Sequence, residues 1–397
     1  VRATNIRSHP FSYATNIAVA ACGGTAFIDM YATQPLLPML RREFAASQAH
    51  VSQTVSALTL AVAFSALFVG PLADALGRKR VILVATFVLA AVTFGASFAR
   101  TIDQLILWRV LQGLAMPGVF ATTIAYISEE FPAERIGTGF GWYIGGNVFG
   151  GFAGRYVSAF VADGHGWPAA FRILALVNIV GALAVVAFLP SARNFVKRAS
   201  LRGALASMRG FLTDPPMLAT YCVGAGVLFT LIAAFTYATF YLSEPPFSLP
   251  TTALGNVFAV FLAGAIATPI SGLLVDRRGN RFTLLAAMGF SACGIALTLV
   301  HVLAAVVIGL GITSTGIFVS QAASQGMIGK LAHAGNRSTA AALYLSFYYV
   351  GGSLGAIVGS IAFEFGGWNA TVALMLAVIA LVTATASLAW RGVALRT

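Results

Sequence analysis

Apolar stretches of roughly 20 residues recur along almost the whole chain, broken by short polar segments, and nothing else in the sequence restricts the fold so strongly. Each stretch has the length a helix needs to cross a hydrocarbon core of ~30 Å. Without water, backbone N–H and C=O groups must be satisfied inside the segment, so such a chain folds as a bundle of helices. Reading the runs against their breaks places spans near 14–38, 51–73, 80–99, 103–126, 137–161 and 170–190, then 217–243, 252–275, 283–301, 304–328, 338–363 and 369–390. Residues 282–320 are almost continuously apolar, but one crossing needs far fewer residues, so a turn is placed near His301. Only 9% of the residues are charged and 58% are hydrophobic. Soluble domains carry about 25% charged residues, so no water-exposed surface of ordinary composition is available.

Twelve spans place both termini on one side. Of the 24 Lys and Arg residues, 18 fall in segments on that side, four face the other side and Arg109 and Arg155 lie within spans. The positive-inside rule then makes both termini cytoplasmic. The net charge of +12 comes from these scattered loops rather than from one basic face, which argues against nucleic acid. Cys22, Cys222 and Cys293 all fall in spans without metal-site spacing and read as small buried apolar residues. The first apolar run is too long for a signal-peptide core and reads as a retained first span. Five cations and the Asp214-Pro-Pro break mark 191–216 as a cytoplasmic linker between an N-terminal half, 1–190, and a C-terminal half, 217–397.

The halves repeat each other. Gly70-Pro-Leu-Ala-Asp74-Ala-Leu-Gly77-Arg78-Lys79-Arg80 matches Gly272-Leu-Leu-Val-Asp276-Arg277-Arg278-Gly279-Asn280-Arg281, 202 residues later. Tyr143 to Asn147 is echoed by Tyr349 to Ser353, and each is followed by a glycine-flanked tryptophan, Trp167 and Trp368. An internal repeat of this kind predicts pseudo-twofold halves with a site at their interface.

These duplicated loops resemble the signature of the major facilitator superfamily, and the resemblance covers nearly the whole chain. It implies an all-α integral membrane protein of twelve transmembrane helices in two pseudo-symmetric six-helix bundles. It also implies a cytoplasmic gate built from Gly70, Asp74, Gly77, Arg78, Lys79, Gly272, Asp276, Gly279 and Arg281. Asp74 and Asp276 are expected at helix ends against helix N-termini of the opposite half, where a carboxylate meets a positive dipole end. Topology alone remains the other explanation for Arg78, Lys79 and Arg80.

Arg109-Val-Leu-Gln112-Gly113 resembles a second family pattern, in the fourth span. An Arg at the centre of an apolar helix costs at least ~2.5 kcal/mol, so it needs a cavity, a partner or a route to the headgroups. Asp29 is the one carboxylate well inside a helix, at a depth compatible with Arg109. Asp29-Met-Tyr31 followed by Gln34-Pro35-Leu-Leu-Pro38 resembles the first span of drug:proton antiporters, which implies a proton-coupling role for Asp29 with Arg109 as its electrostatic partner. A purely structural Asp29 that holds Arg109 is the alternative. The fifth span, with glycines at four-residue spacing, resembles the antiporter motif of efflux members, with Asn147 where proline is usual, and as a whole it is similar to a bacterial subgroup of arabinose-efflux-like inner-membrane permeases. Arg155 in that span reads as snorkelling to the outer surface. Substrate-cavity candidates are Tyr31, Gln34, Gln112, Asn147, Thr230, Tyr237, Gln321, Gln325 and Tyr348.

The function expected from the resemblance is proton-coupled export of a small amphiphilic or hydrophobic compound across the inner membrane by alternating access. A proton-coupled or facilitative importer of a small metabolite and a non-transporting receptor or assembly protein stay as alternatives. The partners are a small-molecule substrate, protons and the bilayer, with a monomeric chain. No HExxH or nucleotide-binding loop is present, so neither an enzyme nor a cofactor is expected.

Overall fold

The computed structural model describes residues 13–192, 208–332 and 337–391. Most of the 191–216 linker lies outside the described residues. The helices are α1 (Tyr13–Met30), α2 (Leu37–Glu43), α3 (Gln48–Leu76), α4 (Arg78–Ala96), α5 (Ile102–Glu130), α6 (Ile136–His165) and α7 (Trp167–Phe188) in the first half. The second half holds α8 (Pro215–Ser243), α9 (Thr251–Val257), α10 (Val260–Leu297), α11 (Leu303–Leu331) and α12 (Arg337–Ala389). Two of these are each a pair of spans: α10 breaks at Gly279, and α12 breaks at Gly366 and Gly367. With α1, the 3₁₀ turn Gln34–Leu36 and α2 read as one crossing, and α9 as the start of the eighth, the chain has twelve spans.

Outside the bundle the surface is apolar. Phe64, Phe149, Phe160, Leu176 and Ile266 are each more than half exposed. Soluble monomers do not carry apolar surface of such breadth, and lipid is the solvent that tolerates it. Of the cysteines, Cys22 is buried, whereas Cys222 and Cys293 point outward, contrary to the expected burial of all three.

Pseudo-symmetry is written in the glycines. Among the described residues the four glycines with positive φ are Gly77 and Gly279, each three residues after the repeated Asp, and Gly166 and Gly367, each directly before the repeated Trp. Left-handed backbone carries a steric cost for any residue with a Cβ, so glycine turns the chain at both equivalent places. Close helix approach repeats as well. A Cβ on Gly150 or Gly154 of α6 would overlap the backbone of Gly24 or Ile28 in α1, and one on Gly351 or Gly355 of α12 would overlap Ala225 or Phe229 in α8. These are equivalent helix pairs in the two halves, and small-residue faces let them touch backbone to backbone.

The halves meet along two seams, α3 against the first span of α12 and α6 against α9 and α10. On the face away from the termini, Arg41 pairs with Glu244 at 3.3 Å and Thr252 donates to Asp163 at 2.8 Å. At mid-depth the Ser346 hydroxyl donates to the Ala63 carbonyl at 2.8 Å. The bundle is therefore closed on the face opposite the termini.

Candidate functional site

The site grows from a break in the first span. Pro35 and Pro38 lack an N–H, so the i→i−4 ladder cannot run through them, and α1 stops at Met30 and re-forms as α2 at Leu37, where Pro38 sits in the first turn. Backbone donors near the break turn to other acceptors: Gln34 N–H goes to Tyr31 at 3.0 Å and Leu36 N–H goes to Thr33 at 3.0 Å. The carbonyls of Met30 and Ala32 are thereby freed at a depth without water. Side chains satisfy both. Arg109 Nη2 donates to Met30 O at 2.7 Å, and the Ser158 hydroxyl donates to Ala32 O at 2.8 Å.

Arg109 is fully buried and spends every nitrogen on an acceptor. Besides Met30 O, its Nη1 reaches Asp29 O at 2.7 Å and Gln112 Oε1 at 2.8 Å, while Nε reaches Thr54 O at 3.0 Å. Asp29 and Arg109 are neighbours without a direct carboxylate–guanidinium bridge: Arg109 binds the backbone of Asp29, because the helix end presents its carbonyls to α5 while the side chain leaves in another direction. The Asp29 carboxylate turns into the N-terminal half, where Oδ2 accepts from Thr93 of α4 at 2.7 Å and from Asn178 of α7 at 2.6 Å. Gln112 Nε2 also donates to the Thr93 hydroxyl at 2.7 Å, so Asp29 and Arg109 communicate through Thr93 and Gln112. Asp29 Oδ1 is buried with no donor among the described residues.

Arg155 does not snorkel. It is buried at the α6 seam, its Nε donates to Gln34 Oε1 at 2.9 Å and its Nη1 donates to Gly151 O at 2.7 Å. Its guanidinium lies over the rings of Tyr31, Phe258 and Phe261 at 4.5, 5.0 and 4.6 Å. The first of these rings belongs to one half and the other two to the opposite half. Gln34 in turn donates to Thr236 across the seam at 3.3 Å. Nearby, the Tyr349 hydroxyl faces Met30 Sδ at 3.5 Å and its ring lies 6.1 Å from Phe120.

Of the cavity candidates, Tyr31 and Gln34 gather around Arg155, Gln112 joins the Asp29 network, and Tyr348 stands edge-on to Tyr349. The others are elsewhere. Thr230 donates to Gly226 O of its own helix at 2.9 Å, the Tyr237 hydroxyl donates to Ala356 O inside the C-terminal half, and Asn147 lies against Gly23. Gln321 is half-buried and Gln325 is exposed. Thr93, Ser158, Asn178, Thr236, Phe258 and Phe261 were not anticipated. Only Asn178 announced itself, as a strongly polar residue midway along the sixth span. A separate cavity of about 850 Å³ lies on the flank of the N-terminal half between α1, α6 and α7, with an almost wholly apolar lining that includes Ile17, Gly24, Phe149 and Val180.

At the termini-facing ends, Arg78 Nη2 lies 2.6 Å from Asp74 Oδ1 and 2.9 Å from Glu129 Oε1. The ion pair seen for Asp74 is thus within its own half rather than across the interface, because Arg78 follows Gly77 at the start of α4 and points back over Asp74. In the second copy Asn280 takes the place of Arg78 and donates to Ala323 O at 2.8 Å, while Asp276 is exposed. Among the described residues no three His, Cys, Asp or Glu side chains converge on a metal-sized site.

Comparison with known proteins agrees with this architecture. The family model described as Major Facilitator Superfamily matches residues 19–260 and 246–395. A protein of Buchnera aphidicola subsp. Baizongia pistaciae described as an uncharacterized transporter is 30% identical over 339 residues, covering 85% of this chain and 84% of that one. The inner membrane transport protein YnfM of Escherichia coli K12 is 29% identical over 384 residues, covering 96% and 91%. The crystal structure of a bacterial homolog to the human lysosomal transporter Spinster, inward-facing and occupied, superposes with a TM-score of 0.79 at 16% identity over 97% of this chain and 98% of that one. The twelve spans, the repeated gate loops and these matches together make the chain a member of the major facilitator superfamily: a multi-pass membrane transporter, not an enzyme, that moves a small molecule across the bilayer by alternating access.

Proposed function

We propose that the protein is a proton-coupled exporter of a small amphiphilic or hydrophobic compound, acting as a monomer in a bacterial inner membrane with both termini cytoplasmic. The observation that carries the coupling is Asp29. It is a fully buried carboxyl group held through one oxygen by two neutral donors, and its other oxygen has no donor among the described residues, which leaves a place for a proton. Its donors come from α4 and α7 and its backbone is held by α5, so any change in how those helices pack alters the balance between its two protonation states. The Thr93 and Gln112 chain links that balance to Arg109 and the break in the first span, beside the seam that must open.

The orientation rests on the split of 18 cations against four. With that orientation the closed face is the outer one, and the repeated loops around Asp74 and Asp276 flank the cytoplasmic gate. A cysteine introduced into the 191–216 linker is then labelled in intact cells only by membrane-permeant reagents. Labelling by an impermeant maleimide reverses the orientation.

The coupling is tested by flux. A thermal-shift screen of purified protein against metabolites and antimicrobials supplies a cargo, and liposomes with an imposed pH gradient report its movement. Wild type accumulates the cargo uphill. Asp29→Asn keeps the size and the hydrogen-bonding reach but carries no proton, so it binds and equilibrates the cargo without accumulating it. Uphill transport by Asp29→Asn with an unchanged pH profile overturns the assignment.

A further inference from the structure

Three charged side chains are buried at membrane depth among the described residues: Asp29, Arg109 and Arg155. Two are guanidinium groups and one is a carboxyl group, so even with Asp29 ionised the region holds one positive charge in excess. The excess is local to Arg155. Arg109 has an acceptor for each of its nitrogens and lies beside the Asp29 backbone, whereas no Asp or Glu among the described residues comes within the 4.0 Å ion-pair limit of Arg155. Arg155 has partners for Nε and Nη1 only. Both are neutral, an amide oxygen and a backbone carbonyl, and Nη2 has no acceptor among the described residues.

A guanidinium stays charged in proteins, and taking it from water into an apolar interior without a counter-ion is costly. The ring faces of Tyr31, Phe258 and Phe261 recover part of that cost through their quadrupoles. They cannot supply the bidentate acceptor geometry that a guanidinium matches best, which is a carboxylate. The position matters too. Tyr31 and Arg155 belong to one half and Phe258 and Phe261 to the other, so the cation stands on the line along which the halves part.

We propose that this seam is the cargo subsite and that the cargo is an organic acid, with its carboxylate on Arg155 Nη2 and its apolar or aromatic body against Tyr31, Phe258 and Phe261. The assignment rests on the transport reading above and narrows its amphiphilic cargo to an amphiphilic anion. Gln34 orients the guanidinium through Nε and is itself held from across the seam by Thr236, so it positions Arg155 without taking the anion.

The test compares acids with their neutral isosteres on the purified wild-type protein. Thermal unfolding is measured with sodium benzoate, phenylacetate and hexanoate, with benzamide, phenylacetamide and hexanamide, and with sodium chloride at matched ionic strength. The expected result is a dose-dependent rise in unfolding temperature with the acids that the amides and chloride do not produce. Gln34→Glu places a carboxylate beside Arg155 and should abolish the rise without removing the cation; Arg155→Lys should weaken it and Arg155→Gln should remove it. Equal responses to acid and amide, a response matched by chloride, no response to any of the three acids, or a response that survives Gln34→Glu each overturn the proposal. The wild-type comparison decides even if the Arg155 variants do not fold. Binding is read without flux, so failure here leaves proton-coupled transport standing, and failure of Asp29-dependent accumulation leaves the anion site standing.

Discussion

Replacing Arg109 by methionine separates a backbone cap from an ion pair. The substitution keeps an unbranched apolar stem but removes four hydrogen bonds, three of them to backbone carbonyls. Those carbonyls are not equally dependent on it. Thr54 O sits inside α3 and has its helical donor, and Asp29 O keeps a long contact of 3.3 Å from Ala32 N–H. Met30 O has no backbone donor in view, since Gln34 N–H has gone to Tyr31. One orphaned buried carbonyl costs about 1–3 kcal/mol. Each weakened bond inside a membrane bundle adds about 0.6 kcal/mol. With three such bonds besides the orphaned carbonyl the total comes to about 3–5 kcal/mol, a large part of the ~5–15 kcal/mol that holds a typical fold. Reversible unfolding by SDS in mixed micelles measures it, and repeating the substitution in the Asp29→Asn background completes a double-mutant cycle. Because Arg109 holds the backbone directly and reaches the carboxylate only through Gln112 and Thr93, most of the loss should persist in the Asp29→Asn background, with a coupling energy of about 0.5–1 kcal/mol for residues that share one network. A substitution that costs nothing once Asp29 is neutral would refute the reasoning and restore the ion pair.

The remaining predictions concern the gate and the helix contacts. Asp74→Asn removes the acid 2.6 Å from Arg78, and if the loop acts as a gate the turnover of the flux assay falls while cargo affinity is unchanged; equal turnover at equal expression counts against the gate. Gly150→Val and Gly355→Val force side chains into the backbones of Gly24 and Phe229, an overpacking that costs about 1–3 kcal/mol or more by the same SDS unfolding. Gly145→Val, with open space around its Cβ position, serves as the neutral control. Similar losses at all three positions would show that the glycines matter for something other than close approach.

Most of the fold was legible because a bilayer imposes length and composition on each span, and because the repeat of Asp74 as Asp276 sets the register of the halves. The four-residue glycine spacing of the fifth span was visible, though not the helix those glycines meet. The site was harder. Asp29 and Arg109 could be matched in depth, but depth does not say which way a side chain leaves its helix. Pro35 and Pro38 were visible, yet the carbonyls they free are found only by following each backbone donor to its acceptor. Thr93 and Asn178 lie 64 and 149 residues from Asp29, on spans whose rotation single-sequence spacing does not define. Arg155 was misread because its companions are aromatic rings, and such rings in apolar spans look like ordinary packing until a cation is seen over them.

The two gate loops, alike in sequence, are held by different forces. In the N-terminal half the loop is tied by charges, Arg78 to Asp74 and Glu129, with Glu129 about one-third exposed; in the C-terminal half Asn280 ties it through a neutral bond to Ala323 O. Added salt weakens interactions between partly exposed charges and leaves a neutral hydrogen bond almost untouched. Ionic strength on the termini-facing side therefore acts on one half of a pseudo-symmetric machine, loosening the α3–α4–α5 corner while the opposite corner holds. The two halves therefore answer differently to salt on that face, and the dwell time of each conformation should depend on the ionic strength bathing it.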